Sequence, residues 1–236
     1  MKKILITGGA GYIGSHTAVD LWNAGMEPII LDDLSNSDRK VIDRLEEITG
    51  KRFEFYHGNC NDAAMLDLIA AEHKIEGVIH FAAFKAVGES TALPLKYYKN
   101  NVGSLVLLLE FMQKQGIKDL VFSSSCTVYG QPEVLPVTES TPRQEAESPY
   151  GNTKKICEDI LIDYVKSKPG IRVVALRYFN PVGAHPSAKI GELPLGVPSN
   201  LVPFITQVAA GLREKLTVFG ADYDTCLLYT SDAADE

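Results

Sequence analysis

The sequence predicts an α/β protein built on a doubly wound parallel sheet. Three observations carry this. Short apolar runs, rich in β-branched and aromatic residues, recur as KILIT, PIILDD, FEFYHG, GVIHFAA, DLVFSSS and RVVALRY, and each has the length of a buried strand. Helix-like segments separate several of these runs, the pattern of parallel strands joined by crossovers that place helices on both faces of the sheet. The first run also passes directly into a cluster of glycines that opens a helix.

ILITGGAGYIGSH reads as strand, tight turn and helix, with Gly8, Gly11 and Gly14 in a GxxGxxG spacing. Gly8 permits the turn, Gly11 lets a pyrophosphate approach the backbone, and Gly14 allows close helix–strand packing. Glycines in such a turn can serve the turn alone, but these follow a strand and open a helix, expected over Ser15–Asn23 with Gly25 beyond its end. The second strand ends in Asp32, eighteen residues after Gly14. A carboxylate there suits an adenosine ribose hydroxyl and repels a 2′-phosphate, which favours NAD over NADP. A strand-end turn residue is the plainer reading of Asp32, and Asp33 can share or take its role.

Further helices are expected over Ala63–His73 and Val102–Gln115, the latter closed by Gly116. The segment after HFAAF reads as a long polar loop, and such sheets bind ligands in the loops at their strands' carboxyl ends. After Tyr178 the texture changes. FNPVGAHPSAKIGELPLGVPSNLVPF is rich in proline and glycine and shows little periodicity, an irregular binding segment leading into a helix near Phe204–Gly211. A boundary at Phe179 therefore separates a nucleotide-binding domain, 1–178, from a second segment, 179–225.

The 236 residues include 23 basic and 30 acidic side chains, for a net charge of −7, which is not the basic footprint of a nucleic-acid binder. The apolar run in MKKILITGG ends too early for a signal peptide, and no run approaches the ~20 residues of a membrane span. Cys60, Cys126, Cys157 and Cys226 lack metal-ligand spacing and read as reduced thiols in a cytoplasm.

The chemistry lies in VFSSSCTVYG and SPYGNTKK. Ser123–Ser125 stand where a strand runs out toward the cofactor side, as turn formers or as working hydroxyls. Tyr150 and Lys154 are spaced i, i+4 and share one helix face, with Pro149 in the first turn and Ser148 as N-cap. Ile156, Ile160, Leu161, Tyr164 and Val165 supply the face that packs on the sheet. Alone, a Tyr–Lys pair on a helix reads as packing. Beside a dinucleotide loop it reads as one device, because an ammonium and a positive nicotinamide both favour the phenolate over a phenol of unperturbed pKa ~10. Such a phenolate accepts a proton from a substrate hydroxyl as hydride leaves the same carbon. A serine hydroxyl can orient the substrate oxygen, and Lys154 can also bind the nicotinamide ribose.

Glycine loop, Ser125 and YxxxK together resemble the extended branch of the short-chain dehydrogenase/reductase superfamily, a Rossmann-type NAD domain with a smaller substrate domain. GGAGYIGSHT, HFAAFKAVGES, YYKNNV, SSSCTVYG, SPYGNTKK and LRYFNPVGAHPS are similar to the UDP-glucose 4-epimerase family, over residues 1 to about 225. The resemblance implies interconversion of UDP-glucose and UDP-galactose with NAD kept bound, through proton loss from the sugar 4-hydroxyl, hydride transfer from C4, and hydride return to the other face of a 4-keto sugar. It implies Tyr150 as base, Ser125 as its hydroxyl partner and Lys154 as tuner. It implies an NAD site of Gly8, Gly11, Tyr12, Ile13, Gly14, Asp32, Asp33, Asn36, Ser37, Asn59, Cys60, Phe81, Ala82, Ala83, Lys85, Asn100, Tyr150, Lys154, Tyr178 and Phe179. Lys85, Ser125, Tyr150, Asn180, Asn200, Leu201 and Phe219 would touch the UDP-sugar, and a homodimer through two helices of each subunit is implied.

Three residues depart from the family pattern. Asn59 stands where an aspartate near the adenine is usual, which implies altered rather than lost contact. Cys126 replaces a small alanine beside Ser125. Asp33 replaces a common asparagine and adds charge near the ribose. After LTVFGADYDT the family pattern stops, and Cys226–Glu236, CLLYTSDAADE, resembles a translated sequencing adapter rather than a native acidic tail. The substrate domain is then incomplete and this chain is expected to be inactive as it stands. Two other readings are a nucleotide-sugar 4,6-dehydratase and a non-catalytic NAD-binding regulator. The first needs an acid–base pair where Thr127 and Val128 stand, and the second has no use for Ser125, Tyr150 and Lys154 together.

Overall fold

The computed structural model describes residues 1–198 and 200–217. Its strands are β1 (Lys2–Thr7), β2 (Met26–Asp32), β3 (Glu54–His57), β4 (Ile75–His80), β5 (Asp119–Ser125) and β6 (Arg172–Tyr178). They form a parallel sheet of order β3-β2-β1-β4-β5-β6. The order reverses between β1 and β4, so a crevice opens at the carboxyl ends of those two strands, where doubly wound sheets bind ligands.

The helices divide between the two faces. On one side, α1 (Tyr12–Asn23) and α2 (Lys40–Thr49) close a core of Ile6, Ala18, Val19, Ile30, Ile42 and Leu45. On the other, α3 (Ala63–Glu72), α6 (Gly103–Gln115) and α7 (Pro149–Ser167) close a larger core that includes Leu5, Leu31, Leu66, Leu108, Phe122 and Leu161. Alternate residues of each central strand serve each face, so these strands carry consecutive apolar residues such as Ile4–Ile6 and Ile29–Leu31, as the sequence runs imply.

Four expectations need correction. α1 begins at Tyr12 rather than Ser15, because Gly11 itself takes the extended N-cap conformation. The segment after β4 is not a long loop. Only residues 81–86 are irregular before α4 (Val87–Ala92), α5 (Pro94–Tyr97) and a π-helical turn at Tyr98–Val102 that runs into α6. Pro94 is pre-organised for a first helical turn, a signal outweighed in the sequence by the polar residues around it. α8 spans Leu201–Ala209, with Asn200 as its extended N-cap, and so starts a turn earlier than Phe204. Finally, the buried face of α7 is Thr153, Lys154, Cys157, Glu158 and Leu161, while Val165 is exposed. Ile160, Leu161 and Tyr164 pack on the core as expected, and the same helix also turns a lysine and a glutamate inward.

At the far edge of the sheet, Val174 and Leu176 on β6 are exposed. Among the described residues no helix is long and apolar enough to cross a membrane, and no cluster of His, Cys, Asp or Glu is suited to hold a metal. Phe219 and residues 226–236 lie outside the described residues.

Candidate cofactor and active site

The glycine loop is shaped by contacts that only glycine tolerates. Gly8 sits at φ 72, and a Cβ there would come within 2.7 Å of the Ala82 backbone nitrogen. A Cβ on Gly14 would run into the Gly8 carbonyl oxygen, so α1 packs on the turn with no room for a side chain. Gly11 differs: an added Cβ would meet only that same carbonyl, at 3.3 Å. Its outer face is open, and as N-cap it supplies no side chain to the first-turn N–H groups. Those donors and the helix dipole suit an anion, which is the fit a dinucleotide pyrophosphate requires.

The acidic end of β2 closes one side. Asp32 is buried, and its carboxylate accepts hydrogen bonds from the Ala10 N–H (3.0 Å), the Leu34 N–H (2.9 Å) and the Ser37 hydroxyl (2.8 Å). It therefore braces the glycine loop besides facing the crevice. Asp33 lies alongside and accepts from the Asn59 amide at 2.9 Å. The Asn59 carbonyl in turn accepts from the Asn61 backbone and side-chain N–H groups, at 2.8 and 3.1 Å. Asn61 also donates to Asn100 (3.2 Å), Asn100 to Asn101 (3.0 Å), Asn101 to the Thr153 hydroxyl (3.2 Å), and Thr153 to the Tyr150 carbonyl (2.6 Å). A continuous row of amides thus joins the end of β2 to the start of α7. Cys60 is buried beneath it, with its thiol pushed up to about 12 by burial, which leaves it neutral and inert. Phe81 and Ala82 both donate backbone N–H groups to the Thr7 carbonyl, at 3.0 and 3.1 Å, and so form the opposite lip. Ala83 follows them, half-buried, and Asn36 is exposed on the loop after β2.

α7 starts as its sequence implies. The Ser148 hydroxyl accepts from the Gly151 N–H at 3.1 Å and Pro149 opens the first turn, while the Tyr150 N–H donates to the buried Ser90 hydroxyl at 3.1 Å. One turn on, the Lys154 ammonium lies 5.9 Å from the centre of the Tyr150 ring and 5.1 Å from that of Phe122, and donates to the Ser123 carbonyl at 2.8 Å. Lys154 is only 4% exposed, and burial pulls its ammonium down to about 8. Ser125 ends β5 opposite Tyr178 at the end of β6, and its hydroxyl accepts from the Thr127 N–H at 3.3 Å, capping a 3₁₀ turn at Cys126–Tyr129. Tyr150, Lys154, Ser125 and Tyr178 are thereby held at one end of the sheet by three elements.

The second segment reaches back over this end. The Tyr12 hydroxyl donates to the Gly183 carbonyl at 2.7 Å. Asn200 donates to Glu192 at 2.7 Å, and the Lys85 ammonium lies 3.7 Å from the same carboxylate oxygen. Lys85 and Asn200, both expected at the sugar nucleotide, therefore converge on one anion. Leu201 follows at the start of α8, half-buried, whereas Phe179 and Asn180 are exposed. Residues that sequence reasoning missed are Asn101, Thr153, Glu158, Arg177 and Glu192. Asn101, Thr153 and Arg177 stand inside YYKNNV, SPYGNTKK and LRYFNPVGAHPS, Glu158 lies one helical turn beyond Lys154, and Glu192 carries no such signal.

Strand order, glycine loop and the Ser–Tyr–Lys set together are those of a Rossmann-type protein of the short-chain dehydrogenase/reductase class. A family model described as GDP-mannose 4,6 dehydratase matches residues 5–235. The chain is 54% identical over 222 residues to the UDP-glucose 4-epimerase of Bacillus subtilis, covering 94% of this chain and 65% of that protein. It is 52% identical over 222 residues to that of Haemophilus influenzae, covering 94% and 66%. The Bifidobacterium longum UDP-glucose 4-epimerase, solved in complex with NAD+ and UDP, superposes with a TM-score of 0.93 at 47% identity, over 95% of this chain and 67% of that one. The Campylobacter jejuni UDP-Glc/GlcNAc 4-epimerase gives 0.80 at 35% identity, over 96% and 68%. The chain belongs to the UDP-glucose 4-epimerase family, and it spans about two thirds of the length of these relatives.

Proposed function

We propose that this chain is the NAD-binding part of an enzyme that interconverts UDP-glucose and UDP-galactose. The observation that carries the reading is Lys154, buried and charged between Tyr150, Phe122 and the Ser123 carbonyl, at the strand ends above the glycine loop. A buried ammonium stabilises a neighbouring phenolate, so Tyr150 takes the proton from the sugar 4-hydroxyl and later returns it. Ser125 orients that oxygen, Lys154 also holds the nicotinamide ribose, and Asp32 and Ser37 face the adenosine ribose. Lys85 and Asn200, now gathered on Glu192, bind the sugar nucleotide. Bound NAD would supply the hydride acceptor and donor at C4.

The dehydratase reading suggested by the family model's description lacks its acid–base pair. The positions after Ser125 hold Thr127 and Val128, and Val128 is fully buried. A cytoplasmic homodimer fits the reading, and exposed Val106 on α6 with Ile162 and Val165 on α7 supply apolar surface for two-helix pairing. Residues 226–236 are read as a tail with no part in the function.

An NAD-loaded protein extended to the relatives' length is expected to convert UDP-galactose without added cofactor, and absence of conversion would refute the reading. Tyr150→Phe should lower turnover ~10²–10⁴-fold with NAD still bound, and Lys154→Ala should move the pH optimum upward. The 236-residue chain should bind NAD yet turn over negligibly, because a substrate held by part of its contacts loses positioning.

A further inference from the structure

Glu158 lies one helical turn beyond Lys154, with its side chain only 5% exposed. One carboxylate oxygen accepts from the Ser124 hydroxyl (2.6 Å) and the Arg177 Nε (2.9 Å), the other from the Arg177 Nη2 at 2.8 Å. Arg143, in the segment before α7, reaches the second oxygen at 3.4 Å and also pairs with Asp159 at 2.7 Å. Arg177 is itself stacked on Tyr129, 4.8 Å from the ring centre. Burial pushes the Glu158 carboxyl up, but the Arg177 and Ser124 bonds and the Arg143 charge outweigh it and hold the group below the usual carboxylate range.

Such a cluster is an unusual choice for a helix that must pack on a sheet. Apolar residues of the same volume are often as stabilising as a buried ion pair or more so, so stability alone gives little reason for a carboxylate here. What the cluster does achieve is geometric. Ser124 and Arg177 face each other across β5 and β6, and each immediately precedes a proposed site residue, Ser125 and Tyr178. Lys154 meanwhile donates to the carbonyl just before Ser124. One carboxylate therefore ties the helix that carries Tyr150 and Lys154 to the last residue before each strand's working end.

We infer that Glu158 is a positioning residue, which sets Lys154, Ser125 and Tyr178 at the spacing that the nicotinamide half of the cofactor requires. The inference rests on the NAD reading above. Ser124 acts with Glu158 as the link to β5, and Arg177 as the link to β6. The glycine loop and Asp32 lie on β1 and β2, with β4 between them and this cluster, so the adenosine half should not feel its loss.

Titration calorimetry of the 236-residue chain with NAD and, separately, with ADP, which ends before the nicotinamide ribose, tests this. Glu158→Gln keeps shape and removes charge, and Ser124→Ala removes one hydroxyl and leaves the Arg177 pair in place. ADP affinity is expected to stay within about twofold of wild type in both variants. NAD affinity is expected to fall about tenfold in Glu158→Gln and less in Ser124→Ala, each the scale of a bond to a charged group. Equal weakening of both ligands would mean a merely structural role and overturn the inference, as would unchanged NAD affinity. Wild-type chain that binds no NAD would instead refute the cofactor reading, and the inference with it.

Discussion

A single row of side chains crosses the sheet through Ile30, Ile6, Ile79, Val121 and Val174. Ile30 and Ile6 are 0% exposed, Ile79 is 8% and Val174 is 54%. All five are apolar and β-branched, on the same pleat and the same face, so strand propensity does not separate them. What differs is cover: α1 and α2 lie over one end of the row, and no described helix lies over the other. The nucleotide end of the sheet is thus finished within the described residues, while the end that carries Ser125 and Tyr178 is finished only on the α7 side. The contrast teaches that equal strand propensity is finished by cover: described helices close both faces of the sheet at β1 and β2, and one face at β6.

The sharpest probe of the finished end is acid. His80 on β4 is buried, with Nδ1 2.6 Å from the Thr7 hydroxyl and Nε2 3.4 Å from Ser104, and burial pulls its imidazole from 6.5 down to about 3. The folded chain keeps the ring neutral while the unfolded chain protonates below about 6.5, so stability is full above that pH and declines as pH falls toward 3. The total is up to ~5 kcal/mol. Urea midpoints between pH 3 and 7 should show the decline, and His80→Gln should flatten it. A decline that His80→Gln leaves untouched would assign it elsewhere.

Truncation across the row comes next. Ile6→Ala is expected to lower stability by ~3 kcal/mol, through lost burial and an unfilled cavity. Lys154→Met, at the junction of the two ends, should act in the opposite sense. Its ammonium is lowered by burial to about 8, so the charge costs the folded state up to ~3 kcal/mol below pH 8. The variant should melt higher at pH 7, and its advantage should vanish as pH rises past about 10.5, where the unfolded lysine also loses its proton. A lysine that stabilises the fold would give the reverse. Val174→Ala should be the smallest effect, within ~0.5 kcal/mol. A loss as large as that of Ile6→Ala would erase the contrast between the two ends.

The parts of the fold that were legible in the sequence are those decided locally. Gly14 needs its missing side chain because of the Gly8 and Gly9 backbone a few residues away, and Ser148 caps α7 through the Gly151 N–H three residues on. The strands were legible because burial on both faces keeps the middles of β1 and β2 apolar, at Ile4–Ile6 and Ile29–Leu31. The polar interior was not. Glu158 and Asn101 look like surface residues in a sequence, and only tertiary packing brings Ser124, Arg177 and Thr153 to them. Val165 is left exposed, while α7 buries Lys154 and Glu158 beside Cys157 and Leu161. The short helices after β4 were masked by polar residues that turn out to pair, such as Glu89 with Lys96 and Tyr97.

The amide row between Asp33 and Tyr150 has a direction. From Asn61, N–H groups point outward both ways: through Asn59 to the Asp33 carboxylate, and through Asn100, Asn101 and Thr153 to the Tyr150 carbonyl. Each terminal group can only accept, so no amide in the row can turn over without stranding a neighbour. The row therefore behaves as a latch with one setting. A carboxylate introduced at Asn61 would leave Asn59 only the backbone N–H and would offer Asn100 no hydrogen at all, so the row would be cut between the two ends of the crevice.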